Sequence, residues 1–405
     1  MRRIFSMICV MVLALFSARA NATAEWPGVT HSEIKIGATF PFSGPASAYA
    51  TTGKGLIAYI EYLNGKGGVN GRKINFIAYD DAYSPPKAVE QTRRLVENDG
   101  VAFIFGSLGT PTNAATIKYL NAKKVPDLFI ISGGSKFTDF SEFPYTTTGI
   151  PSYETEGRIY AKYISETLPK AKIALLYQND DLGRDFLNAL KFQFKDDFAD
   201  RVATASYEVT EPTIDSQIVR LKSSGADVLV IGATPKFAAQ ALRKANELNW
   251  RPLRILNVVS SSIAATLKPA GLEASTGVVS ATYLKDAVDP KYAGDSGIKL
   301  FREIMAQHVP GADLSDLNYA GGMVNGMILE QVLKQCGDDL SRENVLKQSR
   351  SLKNLKLPLV HAGILVNTSG GNSQAFTQLL LQRFNGTSWE SMGNIIGVPI
   401  EQDGR

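Results

Sequence analysis

Residues 62–110 read "YLNGKGGVNGRKINFIAYDDAYSPPKAVEQTRRLVENDGVAFIFGSLGT". Gly65, Gly67 and Gly68 stop the helix that enters this stretch. "KINFIAYDD" then reads as a strand. Pro86 suits the first turn of a following helix, with Val89, Thr92, Leu95 and Val96 on one of its faces. "VAFIFGSLG" is an unbroken apolar strand. Strand, helix and strand at this spacing form a βαβ unit. A strand apolar on both faces fits a parallel sheet buried between helix layers.

The adjacent carboxylates Asp80 and Asp81 raise the question of chemistry. On an extended chain neighbouring side chains point to opposite sides, so the two do not share a substrate proton or chelate one ion easily. With Ser84 they read as hydrogen-bond acceptors for the turn before Pro85 and Pro86.

The same rhythm extends outward. "EIKIGATF" opens the fold, and "KGLIAYIEYLN" follows as a helix with Leu56, Ile57, Ile60 and Leu63 at helical spacing. "TPTNAATIKYLNAKK" is a helix with Thr110 as cap and Pro111 at its first position. "DLFIISGG" is the next strand. The pattern restarts after "TTTGIPSY", with strands "KIALLYQND", "VATASYEV", "DVLVIGAT", "LRILNVVSSS" and "GVVSATYL" separated by helices. Two helices then run almost consecutively, "IKLFREIMAQH" and "AGGMVNGMILEQVLKQC". "HAGILVN" and "LLLQRFNGTSWESM" read as strands, the second a hairpin turning at Asn385-Gly386. The whole is α/β, built from two successive units around 33–150 and 151–283.

Residues 1–24 stand apart. Arg2 and Arg3 precede the apolar run Ile4 to Phe16, and "SARANATA" offers small-residue cleavage sites. This is the pattern of a secretory signal peptide. Its removal takes three arginines from the 43 basic residues and leaves the 39 acidic ones, a net charge near +1. Such a balance is no footprint for nucleic acid or an anionic membrane. One cysteine remains, Cys336, which cannot form an internal disulfide and reads as an apolar packing residue.

Catalytic and metal motifs are lacking. His31, His308 and His361 are far apart in sequence, and there is no HExxH, CxxC, P-loop or G-x-S-x-G elbow. No cofactor or metal is expected. Attention falls instead on loops at the carboxyl ends of the predicted strands. "FPFSGPASAY" follows the first, "GSLGTPT" with Ser107 and Thr110 the third, and "SGGSKF" the fourth. In an open α/β sheet these loops line the ligand crevice. Backbone N–H groups at helix starts, with hydroxyls beside them, cradle a carboxylate.

Across nearly its whole length the chain resembles the periplasmic solute-binding proteins of ABC importers, of the branched-chain amino acid-binding type. The telling pieces are "IKIGATFPFSGPASAYATTG", the stretch 62–110 and "EGRIYAKYISETLPKAKIALLYQNDDLGRDF". The resemblance implies a type I periplasmic-binding-protein fold: two doubly wound α/β lobes with parallel central sheets, joined by three crossovers. Lobe 1 is expected from 33–148 plus 284–358, and lobe 2 from 149–283 plus 359–405. It also implies a periplasmic, monomeric carrier that hands a small molecule to permease subunits and performs no catalysis.

Carried over residue by residue, the resemblance places a ligand carboxylate on Thr110, with Gly134, Ser135 and Lys136 nearby. It keeps an aromatic residue in the first loop, Tyr49. Relatives that bind leucine have an acidic partner for the ammonium after the strand that here reads "LRILNVV". This chain has Ser260, Ser261 and Ser262 there, and Leu182 where an aromatic is expected before Gly183. Phe137, Tyr153 and Phe237 are candidate apolar walls, and Thr234 ends the strand "DVLVIGAT". The expected ligand is therefore an aromatic or hydrophobic carboxylate without an obligatory amino group. Two alternatives stand beside it: an amino acid-binding member of the family, and a ligand sensor of the same fold. A secreted hydrolase would need a nucleophile–base set that the sequence does not display.

Overall fold

A computed structural model describes residues 26–369 and 373–397. The segment 1–24, read as a signal peptide, lies outside the described residues. The first half of the chain runs β1 (Glu33–Phe40), α1 (Ala50–Gly65), β2 (Lys73–Asp80), α2 (Pro85–Arg93), β3 (Phe103–Phe105), α3 (Thr110–Ala122), β4 (Asp127–Ile130) and β5 (Thr146–Thr148). The second runs α4 (Tyr153–Thr167), β6 (Ile173–Gln178), α5 (Asp181–Phe194), α6 (Phe198–Arg201), β7 (Val202–Tyr207), α7 (Asp215–Ser223), β8 (Val228–Gly232), α8 (Pro235–Glu247) and β9 (Leu253–Leu256). Short helices α9 (Lys268–Ala270) and α10 (Leu272–Ser275) lead to β10 (Val279–Thr282). Helices α11 (Ser296–His308), α12 (Leu317–Cys336) and α13 (Arg342–Ser349) follow, then β11 (Gln378–Phe384) and β12 (Trp389–Gly397).

Two sheets organise these elements. The first has order β2-β1-β3-β4-β5 and is parallel throughout. The second has order β12-β11-β10-β9-β8-β6-β7, in which only β11 runs antiparallel to its neighbours. The apolar runs are buried on both faces, as parallel strands between helix layers must be. In β3, Phe103 and Phe105 join one core cluster while Ile104 joins another with Leu95 and Leu120. In β8, Val228 and Val230 face one cluster, and Leu229 and Ile231 face the other, with Phe237 and Leu242 of α8.

The chain does not stay with the second sheet after β10. Helix α12 packs along α1, close enough that backbones meet. A Cβ on Gly55 would lie 2.2 Å from the Tyr319 carbonyl oxygen, and one on Gly322 would lie 1.9 Å from that of Thr52. The chain then returns, and β11 pairs with β10. One sequence reading is corrected here. "HAGILVN" forms no strand, only an isolated bridge from Val366 to Leu355. Thr146–Thr148, in the stretch after which the pattern restarts, is the edge strand β5, whose three threonines are fully buried. The hairpin of β11 and β12 forms, with Asn385 Oδ1 accepting the N–H groups of Thr387 and Ser388 in its turn.

Candidate functional site

Between the carboxyl ends of the two sheets lies a cleft of about 820 Å³, measured to its mouth. Five helices begin at it. Thr52 of α1, Thr110 of α3, Tyr153 and Glu156 of α4, Leu182 of α5, and Leu317 and Asn318 of α12 all line it from their first or second turns. The unpaired N–H groups of a helix start favour negative charge, each by about 0.3–1 kcal/mol.

The side chains alternate hydroxyl and apolar surface. Tyr49, Tyr83, Tyr153 and Tyr283 line the cleft together with Leu108, Ile131, Ile150, Val258, Val259 and Leu284. No lysine, arginine or histidine lies among its described lining residues, and Glu156 is its one acid. The Thr110 hydroxyl is 2.9 Å from that of Ser132 and 3.4 Å from that of Tyr153, so the starts of α3 and α4 share one hydroxyl cluster. Tyr49 is buried and its hydroxyl takes no hydrogen bond among the described residues. The neighbouring Ser260 hydroxyl donates to the Ala233 carbonyl instead. Burial pushes the Tyr49 and Tyr83 hydroxyls well above the usual phenol range and that of Tyr153 up to about 12, so these groups stay protonated and able to donate.

The paired aspartates serve this cleft indirectly. Asp80 Oδ1 accepts the N–H groups of Ser43 (3.1 Å) and Ala82 (2.9 Å). Its Oδ2 accepts the Ser43 hydroxyl and the Lys87 ammonium. Asp81 Oδ1 accepts the Tyr83 N–H at 2.8 Å. Partial burial pushes Asp80 up, but these donors win and hold it down at about 2. Burial dominates for Asp81 and carries it up to about 6. The two carboxylates thus hold Ala82 and Tyr83 at φ of 50° and 58°, a left-handed turn that costs roughly 1–2 kcal/mol per L-residue. That turn aims Tyr83 into the cleft. No signal in the sequence marked Tyr83 as a wall residue.

Of the residues picked from sequence, Tyr49, Thr110, Tyr153 and Ser261 come together in the cleft wall. The others lie elsewhere. Ser107 is buried behind the wall, its hydroxyl accepting the Thr39 N–H. Gly134 precedes a short 3-10 turn over Ser135–Thr138. Ser135 gives both its N–H and its hydroxyl to Asp185, and Lys136 forms an ion pair with Asp181. The groups expected to meet a ligand carboxylate therefore meet carboxylates of the protein itself. Phe137 is buried with Ile117, Ile130 and Phe143, and Phe237 packs on Tyr207 with ring centroids 4.3 Å apart. Both are core residues, not walls. Thr234 precedes α8, its N–H donates to the Tyr207 hydroxyl and its own hydroxyl lies 3.4 Å from the same oxygen, and Ser260 is fully buried.

Glu156 was missed. It sits in the first turn of α4, where an acid reads as ordinary charge at a helix start. Its spacing of three from Tyr153 was the available signal, since residues three apart share a helix face.

The profile described as periplasmic binding protein matches residues 33–386. The chain belongs to this family. The binding protein is 27% identical over 359 residues to Leu/Ile/Val-binding protein homolog 7 of Brucella abortus, covering 82% of this chain and 83% of that one. Its fold matches a fatty acid ABC transporter substrate-binding protein from Thermomonospora curvata with a TM-score of 0.78, at 20% identity, over 94% and 96% of the two chains. It also matches an ABC transporter solute-binding protein from R. palustris in complex with benzoate, with a TM-score of 0.75, at 16% identity, over 91% and 98%. Proteins of this family bind substrates and are not enzymes. The α/β fold with parallel sheets in two lobes is that of type I periplasmic binding proteins. Among the described residues no helix is long and apolar enough to cross a membrane.

Proposed function

We propose that this binding protein carries a small carboxylate with an aromatic or aliphatic body and delivers it, as a monomer in the periplasm, to the permease subunits of an ABC importer. One observation carries the reading. Five helix starts and a cluster of tyrosine and threonine hydroxyls converge on a cleft whose lining, among the described residues, holds no cationic side chain. Donors without fixed charge suit an anion that must be released again, and the leucine, isoleucine and valine walls suit an apolar body. Tyr49, Thr110, Tyr153 and Ser261 are the proposed contacts. The relatives that bear fatty acid and benzoate in their descriptions support the class without naming this ligand.

The division into 33–148 plus 284–358 and 149–283 plus 359–405 belongs to the same proposal. It is supported by the packing of α12 on α1 and by the return of β11 to the second sheet. Hinged closure of two such lobes around a ligand follows from several connections between them.

A second reading, an amino acid ligand, is favoured by one observation only: Glu156 stands in the wall and could face an ammonium group. Calorimetry separates the two. Benzoate and octanoate should bind, and leucine should bind at least tenfold more weakly, since a lost charge-assisted hydrogen bond is worth ~1.5–3 kcal/mol. Tight leucine binding with no response to either carboxylate would overturn the proposal.

A further inference from the structure

We infer that Glu156 is a specificity-determining residue of the cleft, a neutral carboxyl group that donates its O–H to an oxygen of the bound carboxylate. The inference rests on the ligand class proposed above. It starts from position. Glu156 is 1% exposed, lines the cleft, and shares a helix face with Tyr153. Its Oε1 accepts the Val258 N–H at 2.7 Å, a bond that ties α4 to the wall after β9 and fixes the carboxyl group. Among the described residues no cationic side chain lines the cleft with it.

A buried carboxylate with so few donors and no counter-charge is costly by several kcal/mol, and taking up a proton removes that cost. Burial indeed pushes Glu156 up to about 8, against the pull of the Val258 N–H and the nearby Tyr160 hydroxyl. A neutral carboxyl group gives a ligand carboxylate a strong O–H···O⁻ bond. The ionised group would repel the same ligand. The residue therefore selects for an anion through its own proton, and a helix start alone does not supply that discrimination.

The groups around it are accounted for. On its own helix stand Tyr153 and Tyr160, and across the cleft Tyr49, Tyr83 and Tyr283, all with hydroxyls raised above the ordinary phenol range by burial. At the start of α5, Asp180 bonds the Leu182 N–H and Gln178. Asp185 is tied to Ser135, and before α12 Asp316 accepts the Ser262 hydroxyl. Asp185 and Asp127, both carried by burial to about 7, titrate nearest to the range of Glu156, so Glu156→Gln, which removes the titration of Glu156 alone, is the comparison that isolates it.

The test is calorimetric titration of the full-length protein with benzoate, octanoate and leucine at pH 7 and pH 9, beside Glu156→Gln. Gln keeps the acceptor for Val258 and replaces the O–H with an N–H donor that does not titrate. With one proton lost from a group near pH 8, carboxylate affinity of the unmodified protein should fall about tenfold between the two pH values. Glu156→Gln should bind equally at both, close to the unmodified protein at pH 7. A flat profile for the unmodified protein, which needs no variant to fold, overturns the inference and leaves the carboxylate reading standing. So does a folded Glu156→Gln that loses tenfold or more at pH 7. Failure of both carboxylates to bind the unmodified protein, or tight leucine binding abolished by Glu156→Gln, overturns the ligand class and the inference together.

Discussion

Asp185 Oδ2 accepts the backbone N–H of Ser135, and its Oδ1 accepts the Ser135 hydroxyl, each at 2.7 Å. The serine belongs to the turn after β4 in the first sheet, and the aspartate to α5 beside the second. Lys136 and Asp181 pair alongside them. The first and second lobes are thus fastened on one side by groups that are engaged with one another. Hydrogen bonds to a carboxylate contribute about 1.5–3 kcal/mol each when buried. Asp185→Ala is expected to weaken the fastening, enlarge the radius of gyration seen by solution scattering, and reduce ligand affinity roughly tenfold. Unchanged scattering would show that the two lobes are held by their other contacts.

Thr110→Val keeps the shape of the residue that opens α3 and removes its hydroxyl. Both the link to Ser132 and the approach to Tyr153 are lost with it. Calorimetry with a bound carboxylate should show affinity reduced about tenfold, while the melting temperature moves little, because the loss is one neutral hydrogen bond of about 1 kcal/mol.

Gly322→Ala is expected to destabilise by roughly 2–3 kcal/mol, since the new Cβ would overlap the Thr52 carbonyl and α12 would have to move off α1. Urea denaturation should report it. Because Thr52 and Gly321 also line the cleft, ligand affinity should fall in the same variant.

Stability should decline as pH rises from about 4 to about 8. Burial raises Asp127 and Asp185 from 3.8 to about 7, and Glu156 from 4.5 to about 8. Between those values the folded protein still binds protons that the unfolded chain has released, so the slope of unfolding free energy against pH is negative. Below pH 4 the sign reverses, because Asp80 is held at about 2 and must be protonated on unfolding. Thermal melts should therefore peak near pH 4–5. Neither oxygen of Asp127 has a partner among the described residues, so Asp127→Asn should stabilise at pH 8 by about 1–3 kcal/mol and leave pH 5 nearly unchanged.

The layered architecture was legible because it rests on periodicity. Runs such as "VAFIFG" and "DVLVIG" admit few structures other than a strand covered on both sides, and Pro86 and Pro111 mark helix starts that are found within one residue. The cleft was legible only where a loop opens a helix, as at Thr110 and Tyr153. Ser135 and Lys136 satisfy the same local pattern, yet their partners come from α5, some fifty positions later. Phe137 and Phe237 are aromatic residues beside a cleft in sequence and core residues in space. Only the packing of α3 and of the β7–α8 layer decides that. Tyr83 and Glu156 were hidden for the opposite reason: a strained turn and a helix start place them, and neither carries a composition signal.

The return of β11 to the edge of β10 has a consequence for how the chain can be made. Almost a hundred residues separate Thr282 from Gln378, and helices α11, α12 and α13 are synthesised between them. Until β11 leaves the ribosome, β10 presents an open backbone edge. The partly finished polypeptide thus carries an adhesive strand while those residues are made, and loop closure over that distance slows its capture. A chaperone that shields β10, or a nascent chain kept unfolded until release, answers that exposure. A chain ending before residue 378 never closes the edge at all.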